Sequence, residues 1–135
     1  MKNNKGFTLA ELLIVVAIIA VLTMVAVPIF NTQLEKSREE TDIANMRAAK
    51  AAAVAYFLDH PEATQVNFNA TTGAVQTDTP AGYGKGTGTN GGADYPGYYA
   101  AQAYTNEYVI VTRANTGNVE TLTVSWSGTH NPPTT

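Results

Sequence analysis

From Leu12 to Val27 the chain is an unbroken apolar run, and one acid, Glu11, stands at its threshold. A charge in a helix of membrane grade costs about 2.5–3.5 kcal/mol on insertion scales, so it usually has a task, and the one that fits here is pairing with an amine. Lys2 and Lys5 are the charges that precede it. As a helix, Leu9 to Phe30 spans about 33 Å at 1.5 Å per residue, enough for a hydrocarbon core of about 30 Å. The two lysines place the N-terminus on the cytoplasmic side and the remainder outside it. A cleaved secretory signal fits poorly. The run exceeds an h-region of about 7–15 residues, it opens with an acid, and Val25-Ala26-Val27-Pro28 is not a small-residue cleavage site. A plain anchor accounts for the topology and lets Glu11 snorkel to the headgroups.

Composition limits the part of the chain beyond the run. The chain has 135 residues, room for one domain and an anchor. It is 44% hydrophobic, with much of that in the first thirty residues, so the remainder supports a small core. With a net charge of −3 and no basic patch, nothing in the composition suggests a nucleic-acid surface. Loss of residues 1–6 would leave six basic against eleven acidic side chains, a net of −5. The chain holds no cysteine, which removes disulfides and thiolate metal sites but leaves an extracellular location open.

The stretch Lys5-Gly6-Phe7-Thr8-Leu9-Ala10-Glu11-Leu12-Leu13 resembles the leader junction of type IV prepilins and type II secretion pseudopilins. The resemblance covers about the first thirty residues. It implies cleavage between Gly6 and Phe7 by a prepilin peptidase that then N-methylates Phe7. It implies that Glu11 is the assembly contact, meeting the freed amine of a neighbouring subunit. The physics agrees: an ammonium at a helix N-terminus is disfavoured by the dipole, and a carboxylate one turn on is favoured there. The apolar helix would then serve twice, as a membrane anchor and as the core of a filament. The transfer is close to neutral in hydrophobic energy, and the resemblance supplies the drive, a cytoplasmic ATPase acting through a membrane assembly platform. Pro28 is expected to kink the helix rather than end it, because helix-compatible sequence resumes at once.

Thr32 to Leu58 continues as helix, without glycine or proline and with alanines from Ala48 to Ala55. Ile43, Met46, Val54 and Phe57, with Ala44 and Ala51 between them, suggest one buried stripe. The run Glu35, Lys36, Arg38, Glu39, Glu40, Asp42 reads as a solvated face, with Glu35–Glu39 repelling and Arg38–Asp42 attracting. Asp59-His60-Pro61 closes the helix. At 1.5 Å per residue, a helix from Thr8 to Leu58 would be about 75 Å long, and so is expected to protrude from a small domain.

The C-terminal part reads as a small antiparallel sheet. Val66-Asn67-Phe68 and Ala74-Val75-Gln76 flank a turn at Asn69 to Gly73, and Glu107–Arg113 and Val119–Trp126 form a hairpin through Asn115 to Asn118. Tyr104, Tyr108 and Trp126 are expected to supply much of the buried area. Residues 82–97 form a glycine-rich loop. Gly86 to Gly91 fits G-x-G-x-x-G by letter but lacks the strand–turn–helix setting of a nucleotide fingerprint, so an exposed loop needing positive φ is expected. Its bordering tyrosines, Tyr83, Tyr95, Tyr98 and Tyr99, suit packing better than surface recognition. His60 and His130 do not make a zinc site. Asp78, Asp94 and Glu107 lack calcium-loop spacing. Ser125, Ser127 and His130 lack the oriented acid of a triad. Asn69-Ala70-Thr71 matches a glycosylation sequon by chance. His130 to Thr135 is expected to fray.

The expected fold is therefore α+β and type IV pilin-like: a long N-terminal helix, transmembrane in its first half and amphipathic in its second, packed on a small antiparallel sheet. Residues 1–6 are the leader, 7–30 the polymerisation helix, 31–60 the amphipathic half and 61–135 the sheet part. No catalytic, cofactor or metal site is expected. The resemblance implies a filament subunit for adhesion, motility or DNA uptake. Its expected partners are copies of itself, minor pilins, the peptidase and the assembly platform. It would lie in the membrane before assembly and outside the cell after it. The alternatives are a pseudopilin of a type II secretion or competence system, and a membrane-anchored binding module that never polymerises.

Overall fold

The structure is a computed structural model that describes residues 6–89 and 91–132. Lys2, Lys5 and Asn90, the side chain of Asp94 and residues 133–135 lie outside that description, and with them parts of the leader, loop, calcium and C-terminal expectations. The chain divides into two units, Met1–Gln33 and Leu34–Thr135. The helix α1 runs over Leu9–Asp59.

In the first unit the helix is apolar on every side. The large apolar side chains from Phe7 to Phe30 are each more than half exposed, and the helix is long and apolar enough to cross a membrane. Its polar residues turn inward on the backbone: the Thr23 hydroxyl donates to the Ala20 carbonyl at 3.0 Å and that of Thr32 to the Pro28 carbonyl at 3.1 Å. Such back-bonding satisfies a hydroxyl that has no water to meet. Pro28 lies within the assigned helix.

In the second unit the helix lies on a four-stranded antiparallel sheet, in the order β2-β1-β5-β6. The strands are β1 Gln65–Asn69, β2 Ala74–Gln76, β5 Val109–Thr116 and β6 Val119–Trp126. A separate ribbon pairs β3 Asp94–Tyr95 with β4 Tyr98–Tyr99. The β5–β6 hairpin is in register from Val109 against Trp126 to Thr116 against Val119. Its turn is tighter than expected, being Gly117-Asn118 alone, with Gly117 at φ 68°. Glycine in the first place of a two-residue turn suits the twist of the strands, so β5 extends to Thr116. It starts at Val109 because Glu107 is used elsewhere.

The core is one cluster. Met46, Ala49, Ala53 and Phe57 of α1 meet Val66, Phe68, Val109, Val111 and Trp126 of the sheet, with Tyr98 and Tyr104 filling the side. The helix stripe differs from the expected one. Ile43, Met46 and Phe57 are buried as expected, but Ala49 and Ala53 take the places given to Ala44, Ala51 and Val54, which are exposed. Small side chains at the contact let the helix approach the sheet closely. Tyr104 and Trp126 are buried and Tyr108 is half-buried. Arg113 closes the helix end from β5: it stacks over Phe57 and donates to the carbonyls of Phe57 and Pro61, satisfying groups that a helix C-terminus leaves open.

Candidate functional site: the N-terminal junction and the carboxylate face of the helix

At the junction, Gly6, Phe7 and Thr8 precede the helix, and all three are exposed. Thr8 and Glu11 cap each other. The Thr8 N–H donates to Glu11 Oε2 at 2.8 Å, and the Glu11 N–H donates to Thr8 Oγ1 at 3.2 Å. This is a reciprocal capping box, and its sequence signature, Thr8-x-x-Glu11, was open to reading. Glu11 therefore already stabilises the helix start within its own chain. A neighbour's amine would have to share that carboxylate or displace the Thr8 amide from it.

The second arrangement overturns the expected solvated face. Glu35, Glu39 and Asp42 are buried, whereas Lys36 and Glu40 of the same run are exposed. The three acids stand four and three residues apart, on one side of the helix and in phase with Met46, Ala49, Ala53 and Phe57. Against them lies the glycine-rich loop, which presents backbone N–H groups that no strand pairs. Glu35 Oε1 accepts the Thr87 N–H at 2.6 Å and its Oε2 the Thr87 hydroxyl at 2.8 Å. Glu39 Oε2 accepts the amides of Gly92 at 3.1 Å and Ala93 at 2.9 Å. Asp42 accepts the amides of Lys85 at 2.8 Å and Gly86 at 2.7 Å, and the Tyr98 hydroxyl at 3.2 Å. Arg38 pairs with Glu35 at 3.3 Å rather than with Asp42.

Buried carboxylates persist only when hydrogen-bonded, and each of these is, although Glu39 Oε1 finds no partner among the described residues. Burial pushes the Glu35 carboxyl up, but the Thr87 amide and hydroxyl and the Arg38 guanidinium outweigh it and leave it below its ordinary 4.5. For Asp42 burial wins over the Gly86 and Lys85 amides and the Tyr98 hydroxyl, and the carboxyl rises above its ordinary 3.8. Burial and the charge on Asp42 raise the Tyr98 phenol in turn. The loop glycines required by contact rather than by turn shape include Gly86, where a Cβ would strike Tyr98 Oη, and Gly91, where it would strike the Glu39 carboxylate. The loop is thus bound down, not free; among its described glycines, Gly88 and Gly97 take positive φ.

The tyrosines pack, as expected. Tyr98 and Tyr104 stack at 4.2 Å. The Tyr104 hydroxyl accepts the Tyr99 N–H at 2.6 Å, and the Tyr83 hydroxyl donates to Phe68 O and accepts the Val109 N–H, both at 2.9 Å. Burial pushes both the Tyr83 and the Tyr104 phenols up to about 12. This removes the main support for a binding module built on that loop.

Of the segment expected to fray, His130 is packed in place. The His130 ring stacks on Tyr104 at 4.1 Å, and its nitrogens meet Glu107 Oε2 at 2.7 Å and Gln102 Oε1 at 2.8 Å. Ser127 Oγ accepts the Tyr108 N–H at 3.2 Å. Asn69 Oδ1 caps its own turn by accepting the Thr71 and Thr72 amides.

The family description "Prokaryotic N-terminal methylation motif" matches residues 1–27. The chain is 32% identical over 82 residues to the type IV major pilin protein PilE1 of Neisseria gonorrhoeae, covering 61% of this chain and 50% of that protein. The chain carries the N-terminal methylation motif and is similar to type IV pilins. It is also 39% identical over 62 residues to a fimbrial protein of Pseudomonas aeruginosa, which covers 46% of this chain and 40% of that one. A fimbrial protein Q of Moraxella bovis is 40% identical over 52 residues, 38% of this chain and 33% of the relative. The chain thus spans half or less of the length of these relatives. No solved structure matches it. The architecture, an apolar N-terminal helix whose second half packs on a four-stranded antiparallel sheet, is the α+β arrangement expected of a prepilin.

Proposed function

We propose that the chain is the precursor of a structural subunit of a type IV pilus. The observation that carries the reading is the match of residues 1–27 to the methylation motif, joined to relatives named major pilin and fimbrial protein. Gly6 and Phe7 form the processing site, and Phe7 becomes the N-methylated terminus. The chain is then a substrate of the peptidase rather than an enzyme. Lys2 and Lys5 hold the N-terminus in the cytoplasm, residues 7–30 anchor the precursor, and the same helix enters the filament core. Pro28 marks where that helix yields. The filament is extracellular, built of copies of this chain with minor pilins, and driven by the platform and its ATPase.

The N-terminal peptide tests the reading. Mass spectrometry of the cell-derived protein is expected to find a chain starting at N-methylated Phe7. Gly6→Leu is expected to leave the precursor uncut. A native product that begins at Met1 would reject the proposal.

Glu11 needs a finer test, because the capping box supplies a role without any neighbour. Gln serves at this capping position as Glu does but carries no charge. Glu11→Gln is therefore expected to keep the helix start and the membrane insertion while filament yield falls at least tenfold. Normal filaments from Glu11→Gln, with loss only in Glu11→Val, would show that the cap is what matters and not the charge.

A further inference from the structure

Strand β6 is the last in the order β2-β1-β5-β6, so one side of it is a sheet edge. Which groups face that edge follows from two bonds. The Ser127 N–H donates to Tyr108 O at 2.9 Å, toward β5, while the Arg113 N–H of β5 donates to Thr64 O at 2.7 Å, away from β6. Strand alternation then turns the N–H and C=O of Glu120, Leu122, Val124 and Trp126 outward from the sheet. The β3–β4 ribbon reaches this edge at Val124, where a Cβ on Gly97 would lie 2.6 Å from the Val124 carbonyl. Beyond it, among the described residues, no strand pairs with Glu120 or Leu122 on this side.

The side chains of the same residues face the helix, and space lies beside them. A cleft of about 300 Å³ is lined by Val54, Phe57, Leu58, Arg113, Glu120 and Leu122. A second, of about 380 Å³, is lined by Lys50, Tyr95, Tyr99, Leu122 and Val124 among others. Leu122 lines both, so the two clefts adjoin along β6 and together are termed the trough. Its floor is apolar and incompletely covered, with Val54 42% and Leu58 79% exposed. Its ends carry opposite charges: Lys50 at the Val124 end, and Glu120 at the other. Arg113 stands 3.8 Å from Glu120 but is committed to the helix carbonyls, and the Glu120 side chain remains 53% exposed.

We propose that this trough binds an extended polypeptide segment that adds to β6 as a fifth antiparallel strand. Outward N–H and C=O groups on alternate residues are met by an extended backbone and by little else. The apolar floor takes alternate apolar side chains. The charges fix the direction. An antiparallel partner runs from the Val124 end to the Glu120 end, so it bears an acidic residue near its N-terminus, at Lys50, and a basic residue near its C-terminus, at Glu120. This surface lies wholly within Leu34–Thr135 and does not depend on filament formation.

The test uses the full chain in detergent micelles and a fluorescein-labelled synthetic peptide, Asp-Thr-Val-Thr-Val-Thr-Lys, whose charges and valines share one face of the strand, followed by anisotropy. It is expected to bind at least tenfold more tightly than the same peptide with Asp and Lys exchanged. N-methylation of its valine amides is expected to cost at least tenfold. The double variant Lys50→Glu with Glu120→Lys, both on exposed side chains, is expected to invert the preference; a matching thermal melt confirms its fold. Equal binding of the two charge orders, indifference to N-methylation, or no saturable binding to the wild-type chain each overturns the proposal. So does a dimer that Leu122→Asp dissolves and the peptide does not compete for, since the occupant is then a second copy.

Discussion

Asp42→Asn isolates the contact between the helix and the loop, because it changes one charge and almost no volume. The Asp42 carboxylate serves two backbone amides with two oxygens: Oδ1 takes Lys85 at 2.8 Å, and Oδ2 takes Gly86 at 2.7 Å, the Tyr98 hydroxyl at 3.2 Å and a longer share of the Lys85 N–H at 3.1 Å. Asparagine keeps one acceptor oxygen. Whichever way its amide turns, an N–H faces either Lys85 or Gly86, and a buried donor without a partner costs about 1–3 kcal/mol. The bonds that survive lose their charge assistance, about half their strength. Against this, burial already opposes the ionised carboxyl, as its raised pKa records, so removing the charge returns part of the loss. The net is about 2 kcal/mol of loop anchoring, or about thirtyfold in the opening equilibrium. Amide hydrogen exchange reads this residue by residue. Lys85 and Gly86 are expected to exchange about thirtyfold faster, while Val111, inside the sheet, keeps its rate. Thr41→Val, one residue away on the exposed side, is the control. Unchanged exchange at Lys85 and Gly86 would refute the claim that buried carboxylates hold the loop. A uniform rise that includes Val111 would refute the claim that this hold is local.

Gly91→Ala and Gly92→Ala make a matched pair. A Cβ on Gly91 would enter the Glu39 carboxylate, whereas one on Gly92 meets nothing. The first is expected to lower stability by about 1–3 kcal/mol and to free the Ala93 amide, the second to change little; equal effects in urea melts would reject the contact. On acidification the two titrating ends of the carboxylate row act in opposite senses. Glu35, held below 4.5, contributes stability that is present above that value and lost as the pH falls through its lower folded pKa. Asp42, raised above 3.8, takes up a proton on folding, so its contribution grows as the pH falls toward 3.8. Urea midpoints measured from about pH 3 to 6 should therefore show Glu35→Gln blunting the acid loss and Asp42→Asn removing the opposing gain; the reverse assignment would contradict the geometry.

Much of this fold is legible because single residues carry strong local signals. Proline after Asp59-His60 stops the helix, Gly117 sets the hairpin turn, and the alternation from Val119 to Trp126 defines a strand whose observed limits are those expected. The helix stripe was half legible. Ile43, Met46 and Phe57 have side chains large enough to betray their face, but Ala48 to Ala55 is nearly uniform in type, and nothing in an alanine's own hydropathy separates buried Ala49 and Ala53 from exposed Ala51 and Ala55. Only spacing separates them. Starting from Phe57 and stepping back by four, four, three and four gives Ala53, Ala49, Met46 and Asp42.

That series continues to Glu39 and Glu35, and there a hydropathy reading must fail. A carboxylate scores as solvent-facing whatever its partner, because the scale measures the group against water alone. In this chain the relevant comparison is with a loop whose glycine-rich backbone forms few pairs of its own and so has amide donors to place. The same face of one helix turns from apolar to acidic at the point where its partner turns from sheet, with its donors already used, to loop, with its donors free. The signal was therefore present as a coincidence of two features: acids in phase with an apolar stripe, and a glycine-rich segment between the strands that the stripe must cover. Neither feature alone distinguishes a buried carboxylate from a solvated one. Together they require it, because the alternative buries unpaired amides against the helix, at a cost of about 1–3 kcal/mol each.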